Sequence, residues 1–181
     1  IVGQYEALYE RTVREPLESV LERLATTIRR TPDRTVHVVG HSLGGIVCHR
    51  LFERYPDLPA GRAVFLGSPL CGSQAARGLE RFAFGPRMIG ALAVAELLGT
   101  QERRWACPRE LGLIAGTRPV GLGRLFAGFA EPNDGTVAVR ETRLEGATDH
   151  LALAVSHLGM LLSPRVAEEC GRFLRDGHFS L

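Results

Sequence analysis

Gly40-His41-Ser42-Leu43-Gly44 has the form G-x-S-x-G and is followed by one more glycine, Gly45. A serine hydroxyl is a weak nucleophile until it is exposed, held still and relieved of its proton by a neighbouring base. A sharp turn from a strand into a helix exposes it. Small residues two positions to either side, Gly40 and Gly44, are expected to let that turn close. The first N–H groups of the helix then favour negative charge. The Leu43 amide is therefore the expected donor to the oxyanion of a tetrahedral intermediate. Such a serine needs an imidazole base and a carboxylate to fix the imidazole's tautomer. His157, in Ser156-His157-Leu158-Gly159, and Asp134, in Asn133-Asp134-Gly135, are the residues expected in those roles. Each alone has a plainer reading: a glycine-rich βα turn, a common Asn-Asp-Gly turn, a core histidine bonded to backbone. Together they point to nucleophilic acyl transfer.

Other candidates fit less well. His150 precedes the apolar run Leu151–Val155 and reads as a strand-entry residue. His41 fills the variable slot of the motif, and its side chain is expected to point away from the serine proton. His37 lies in a strand pattern, and His49 and His178 lie on helical or terminal segments. Asp149 is only 8 residues before His157, too near along an extended chain to curl back easily, and Asp57 belongs to a helix-ending Tyr-Pro-Asp turn. In Gly67-Ser68-Pro69, proline keeps the chain extended and no helix starts at once, so Ser68 is not a second nucleophile. Ser68, Pro69 and Leu70 are instead expected to line an acyl pocket.

The elements that must carry these residues follow from hydrophobic period. Leu17, Val20, Leu21, Leu24 and Ile28 recur at helical spacing over about 16–30. Val36-His37-Val38-Val39 is β-branched, stops at Gly40 and predicts a buried strand. A helix is expected over 43–55, strands at 63–66, 111–115, 136–143 and 150–155, and a last helix over 164–175. Alternating strands and helices predict an α/β class: a parallel sheet with helices on both faces. The strand C-termini then share one edge, where such sheets place their sites. A long insert, 72–108, is rich in small and apolar residues and is expected either to cover the site as a lid or to pack on the sheet. The Gly-rich stretch 116–128 is expected to be loop.

Bulk properties agree with one soluble enzyme domain spanning 1–181. Of the 181 residues 45% are hydrophobic and 23% charged. A net charge of +2 gives no pull toward nucleic acid or anionic membrane. All basic residues are arginine, scattered along the chain. Cys48, Cys71, Cys107 and Cys170 fit no zinc spacing, so no metal is expected. With four reduced thiols, no signal-peptide pattern and no apolar run long enough to span a bilayer, the setting expected is cytoplasmic. The sequence leaves the oligomeric state open.

Val38-Val39-Gly40-His41-Ser42-Leu43-Gly44-Gly45, Gly67-Ser68-Pro69-Leu70-Cys71-Gly72-Ser73 and Asn133-Asp134-Gly135-Thr136-Val137, with Ser156-His157-Leu158-Gly159 downstream, resemble the α/β-hydrolase family and its bacterial lipase and esterase-like branch. The resemblance implies the order Ser42, Asp134, His157 for nucleophile, acid and base, an acyl-enzyme mechanism and no cofactor. It implies a small-molecule ester or lipid substrate, with thioester, amide or acyl-transfer chemistry open to the same residues and an inactive binding domain as the non-enzyme alternative. It also implies strands before the nucleophile's strand, with an H-G-type motif supplying a second oxyanion donor. About forty residues precede Ser42, and Gly3 is their only glycine before Gly40. The expected chain is thus the C-terminal two-thirds of such a domain, its N-terminal strands absent.

Overall fold

A computed structural model describes residues 17–31, 35–71, 103–120 and 131–180. Helix α1 (Leu17–Arg29) leads to strand β1 (Val38–His41), helix α2 (Leu43–Arg54), strand β2 (Ala63–Leu66) and strand β3 (Leu111–Gly116). A short 3₁₀ turn (Val139–Thr142), strand β4 (Asp149–Leu153), a second 3₁₀ turn (Gly159–Leu162) and helix α3 (Pro164–Asp176) complete the order. The four strands pair in sequence order β1-β2-β3-β4, all parallel. This is the α/β architecture the alternating pattern predicts. Of the insert 72–108, expected as a lid or as packing on the sheet, 72–102 lies outside the described residues, as does 121–128 of the Gly-rich stretch.

Each sheet face buries a separate core. Ala63, Phe65, Leu111 and Leu113 meet Leu21, Ala25 and Ile28 of α1 and Ile46, Leu51 and Phe52 of α2. Val64, Leu66 and Ile114 meet Val166, Cys170 and Phe173 of α3. The period-two alternation along β2 therefore serves two cores, which is why Ala63-Val64-Phe65-Leu66 reads as an unbroken apolar run. On α1 and α3 the buried apolar residues fall at i, i+4 and i+7, one stripe per helix. Local signals fix the ends of α3. Ser163 caps its start by accepting from the Val166 amide at 3.4 Å, Pro164 fills the first turn, and Gly177 closes it at φ 84°. The chain then folds back, so that Phe179 stacks on Phe173 at 4.9 Å. Gly112 admits this pair, since a Cβ there would come within 2.9 Å of both rings.

Two expectations change. The segment 136–143 is not a strand. After Asn133 the chain reverses, makes one antiparallel bridge between Asn133 and Ala138, and enters the 3₁₀ turn. The Asp134 amide is spent on the Val137 carbonyl at 3.1 Å, and β4 occupies the place beside β3. Strand β1 is not fully buried either. Its ladder starts at Val38 and runs through His41, and Val39 is 49% exposed, because β1 is the edge strand among the described residues.

Candidate active site

Because the strands are parallel, their C-terminal ends lie along one edge, and Ser42, Asp134 and His157 gather there. Strand β1 ends at His41, and the chain turns at Ser42 into α2 within one residue. The Ser42 amide still pairs with β2 through the Leu66 carbonyl at 2.9 Å, while Leu43 already opens the helix. Such a reversal requires a backbone that L-residues avoid. Ser42 has φ 55° and ψ −125°, the sole positive φ at a non-glycine among the described residues. As the first helical residue, Leu43 has an N–H with no carbonyl one turn earlier to receive it.

The space for this turn comes from Gly40 and Gly45. A Cβ on Gly40 would lie 2.7 Å from the Gly45 backbone, and one on Gly45 would lie 2.1 Å from the Ser68 hydroxyl. A Cβ on Gly44 would meet nothing within 4 Å among the described residues. The steric requirement assigned to Gly44 therefore belongs to Gly45, which lets α2 settle on the end of β2.

The Ser42 hydroxyl lies 3.0 Å from His157 Nε2, and His157 Nδ1 lies 2.7 Å from Asp134 Oδ2. Since the carboxylate can only accept, Nδ1 carries the proton, and Nε2 is left to accept from the serine. Asp134 is fully buried and its oxygens are used completely. Oδ1 accepts from the Thr136 and Val137 amides at 2.9 and 2.7 Å, leaving Oδ2 aimed at the imidazole. The flanking residues hold that turn, with Asn133 Oδ1 accepting from the Gly135 amide at 2.9 Å and Gly135 at φ 95°. The main chain repeats the pairing: the His157 amide donates to the Asp134 carbonyl at 2.9 Å.

Three features of the site escape a reading of the sequence alone. Gly67, at φ 53° just past β2, lies directly under the Asp134–His157 bond. A Cβ there would stand 3.0 Å from Asp134 Oδ2 and 3.1 Å from His157 Nδ1. Gly116, closing β3, is as confined, with a Cβ position 2.6 Å from the Asp134 Cβ and 2.5 Å from the Val155 carbonyl. Both glycines sit at strand ends directly before polar residues, which is their one sequence signal. The third is Glu141, a buried carboxylate that accepts from the Ala138 amide at 2.9 Å while its carbonyl receives the Cys71 amide at 3.1 Å. It braces the Asp134 loop against the end of β2.

In line with the expectation for His41, its ring does not meet the Ser42 hydroxyl; it turns to His157. Its Nε2 lies 3.0 Å from the His157 carbonyl, and the two rings are 4.7 Å apart. Burial pushes the His41 imidazole below its ordinary pKa. Ser68, Pro69 and Leu70 are all buried. Ser68 fits beneath Gly45, and Leu70 joins the core under α2, so packing accounts for both positions. The remaining candidates bond elsewhere. His150 Nε2 meets Thr142 Oγ1 at 2.9 Å, and Asp149 accepts from the His150 and Phe179 amides. Asp57 pairs with Arg29, and His49 Nε2 meets the Arg104 carbonyl at 3.1 Å. His37 Nδ1 accepts from the Arg62 amide, and His178 Nδ1 lies 3.0 Å from the Phe179 carbonyl.

All four cysteines are free thiols. Among the described residues no cluster of three His, Cys, Asp or Glu side chains could hold a metal ion, and no helix is long and apolar enough to cross a membrane.

The model of the Alpha/beta hydrolase family matches residues 5–174, and the chain belongs to that family. A search of the curated proteins gives no match. Among solved structures, the chain is similar to the lipase BlEst2 of Bacillus licheniformis. In its mature form that lipase is 19% identical with a TM-score of 0.63, over 89% of this chain and 74% of the lipase chain. In its propeptide form it is 20% identical with a TM-score of 0.67, over 81% of this chain and only 38% of the lipase chain. Phospholipase PlaB from Legionella pneumophila is 13% identical with a TM-score of 0.64, over 87% of this chain and 45% of that chain. At these identities the likeness is one of fold, and this chain spans less than half of two of the three.

Proposed function

We propose that this chain is a serine hydrolase that cleaves carboxylic esters through an acyl-enzyme intermediate. One observation carries the reading: a hydroxyl, an imidazole and a buried carboxylate form a continuous chain of hydrogen bonds of 3.0 and 2.7 Å across the C-terminal edge of the sheet. In this reading Ser42 Oγ attacks the ester carbonyl as its proton passes to His157 Nε2. The Leu43 amide donates to the oxyanion, and Asp134 stabilises the imidazolium without taking its proton. When the tetrahedral intermediate collapses, His157 returns the proton to the leaving alcohol. A water activated by the same nitrogen then releases the acid.

The surroundings of the base favour an apolar acyl group. Leu158, Leu161 and Leu162 follow His157 directly and are 71%, 58% and 86% exposed, three of the five large exposed hydrophobics among the described residues. Exposed apolar groups grouped in this way mark ligand or lipid contact.

The test is covalent labelling with a fluorophosphonate probe followed by peptide mass mapping. The probe should modify Ser42 in the wild-type protein and nothing in Ser42→Ala. Unlabelled wild-type protein should hydrolyse p-nitrophenyl esters and lose that activity on labelling, and matched oxygen-ester and thioester substrates rank the two bonds. Absence of labelling at Ser42 would overturn the enzymatic reading and leave a binding domain that keeps only the fold.

A further inference from the structure

His41 is not part of the hydroxyl–imidazole–carboxylate chain, yet its side chain contacts both the ring and the main chain of His157. Its Nε2 lies 3.0 Å from the His157 carbonyl. A carbonyl can only accept, so Nε2 is the protonated nitrogen and donates. The ring is half-buried and lies 4.7 Å from the His157 ring, tilted by 44°.

Together these contacts define how the base is held. Two tethers come from one residue: Asp134 Oδ2 accepts from the ring, and the Asp134 carbonyl accepts from the His157 amide. Both pull the same way, toward the acid turn. His41 supplies a third tether, from the residue next to Ser42. It grips the carbonyl of His157 itself from the end of β1. The nucleophile's own turn thus fixes the distance to the base, because His41 and Ser42 are adjacent on a strained backbone that cannot yield independently.

Resting on the reading proposed above, we infer that His41 is a positioning residue: its Nε2–H donates to the His157 carbonyl and sets the Nε2–Oγ distance at which the base takes the serine proton. An imidazole suits this place where a lysine or arginine does not. The base becomes an imidazolium during acylation, and a fixed positive charge at 4.7 Å would oppose that change. His41 can donate while neutral, and burial favours its neutral form.

The experiment uses the full chain and three proteins: wild type, His41→Phe and His41→Gln. Phenylalanine keeps a ring beside His157 and removes the donor, whereas glutamine removes the ring and restores an N–H at similar reach. Displacing the base by the order of 1 Å costs about 10²-fold in rate. His41→Phe is therefore expected to lower kcat and the fluorophosphonate labelling rate by about 10- to 100-fold, with KM and the melting temperature close to wild type. His41→Gln should recover most of that loss.

A readout independent of activity accompanies the kinetics. In wild type, NMR should show an exchange-protected His41 Nε2–H coupled across the hydrogen bond to the His157 carbonyl carbon. Wild-type labelling rates in His41→Phe would overturn the inference. So would equal losses in both variants accompanied by lowered melting temperatures, which would mark a packing role. If wild type itself fails to label at Ser42, the hydrolase reading falls instead, and the NMR coupling still decides whether His41 holds this loop.

Discussion

Ser42 and Asp134 face each other across His157 in unlike settings. Ser42 sits at φ 55° in a turn of one residue, partly exposed, beside helix N–H groups that have no intrahelical carbonyl to meet. Asp134 is fully buried in a bonded turn: its oxygens accept from three backbone amides and the imidazole, and its own amide donates to the Val137 carbonyl. The first turn stores strain and, in the proposed reading, keeps the nucleophile open. The second stores none and keeps a charge fixed. A nucleophile has to be reached by a substrate, whereas an orienting carboxylate works best where it cannot move or find another partner. His157 joins them, so damage on either side should reach the same reaction by different routes.

The largest separation should come from removing the two end groups. Ser42→Ala is expected to abolish labelling and lower kcat by about 10⁶-fold, with the melting temperature little changed, since the backbone strain remains. Ser42→Gly should be as inactive yet more stable. Relief of an unfavourable φ is worth on the order of 1 kcal/mol, or about 2–4 °C in a chain of this size, and thermal melts followed by circular dichroism would read it. If Ser42→Gly is no more stable than Ser42→Ala, the turn stores no strain and the contrast fails.

On the other side, Asp134→Asn should cost about 10⁴-fold in kcat. It keeps an acceptor for the Thr136 and Val137 amides but turns an amide NH₂ toward His157 Nδ1, which selects the wrong tautomer. Steady-state kinetics on an activated ester would measure it, and a loss below tenfold would show that the carboxylate is dispensable.

Gly67→Ala sharpens the comparison, because it adds one methyl beneath the bond that links the two regions. Its Cβ would press on Asp134 Oδ2 at 3.0 Å and His157 Nδ1 at 3.1 Å from a left-handed backbone. The expected result is about a 10²-fold loss in kcat together with about 1–3 kcal/mol of stability. Gly44→Ala, by comparison, should be tolerated in both respects.

The smallest effect concerns pH. Burial lowers the pKa of His41, His49 and His150. Each binds its proton less readily folded than unfolded, so below about pH 6.5 the unfolded chain takes up more protons and stability falls with falling pH. The Asp57 and Glu169 carboxyls are shifted down, so the stability they confer is lost only at lower pH, below the ordinary carboxylate range. Melting temperatures between pH 7.5 and 5.5 should therefore decline. The slope should be shallower in His41→Phe, which removes the one shifted imidazole beside Ser42. An unchanged slope would show that His41 takes no part in it.

Much of the fold was legible because its rules are local. Apolar residues at helical spacing placed α1 to within a residue, the last helix expected over 164–175 is α3, and Ser163, Pro164 and Gly177 mark its ends. Strands β2 and β3 stood out as short apolar runs ended by glycine, since a strand buried on both faces has no polar positions to interrupt it. Ser42, Asp134 and His157 could be singled out because a reactive serine needs a turn that few sequences satisfy, and because an imidazole and a carboxylate follow it in workable order.

What the sequence determined by itself is therefore most of the described helices and strands, their parallel arrangement and the short list of polar residues worth watching. Tertiary structure alone decided which glycine makes room for α2, what lies under the Asp134–His157 bond, which way His41 turns and why 136–143 is no strand. Each of these depends on the approach of segments distant in sequence: Gly45 to Ser68, Gly67 to Asp134 and His157, His41 to His157, β4 to β3. A chain written in order carries its own turns and periods, but the distance between two such segments exists only once the sheet has brought them to one edge.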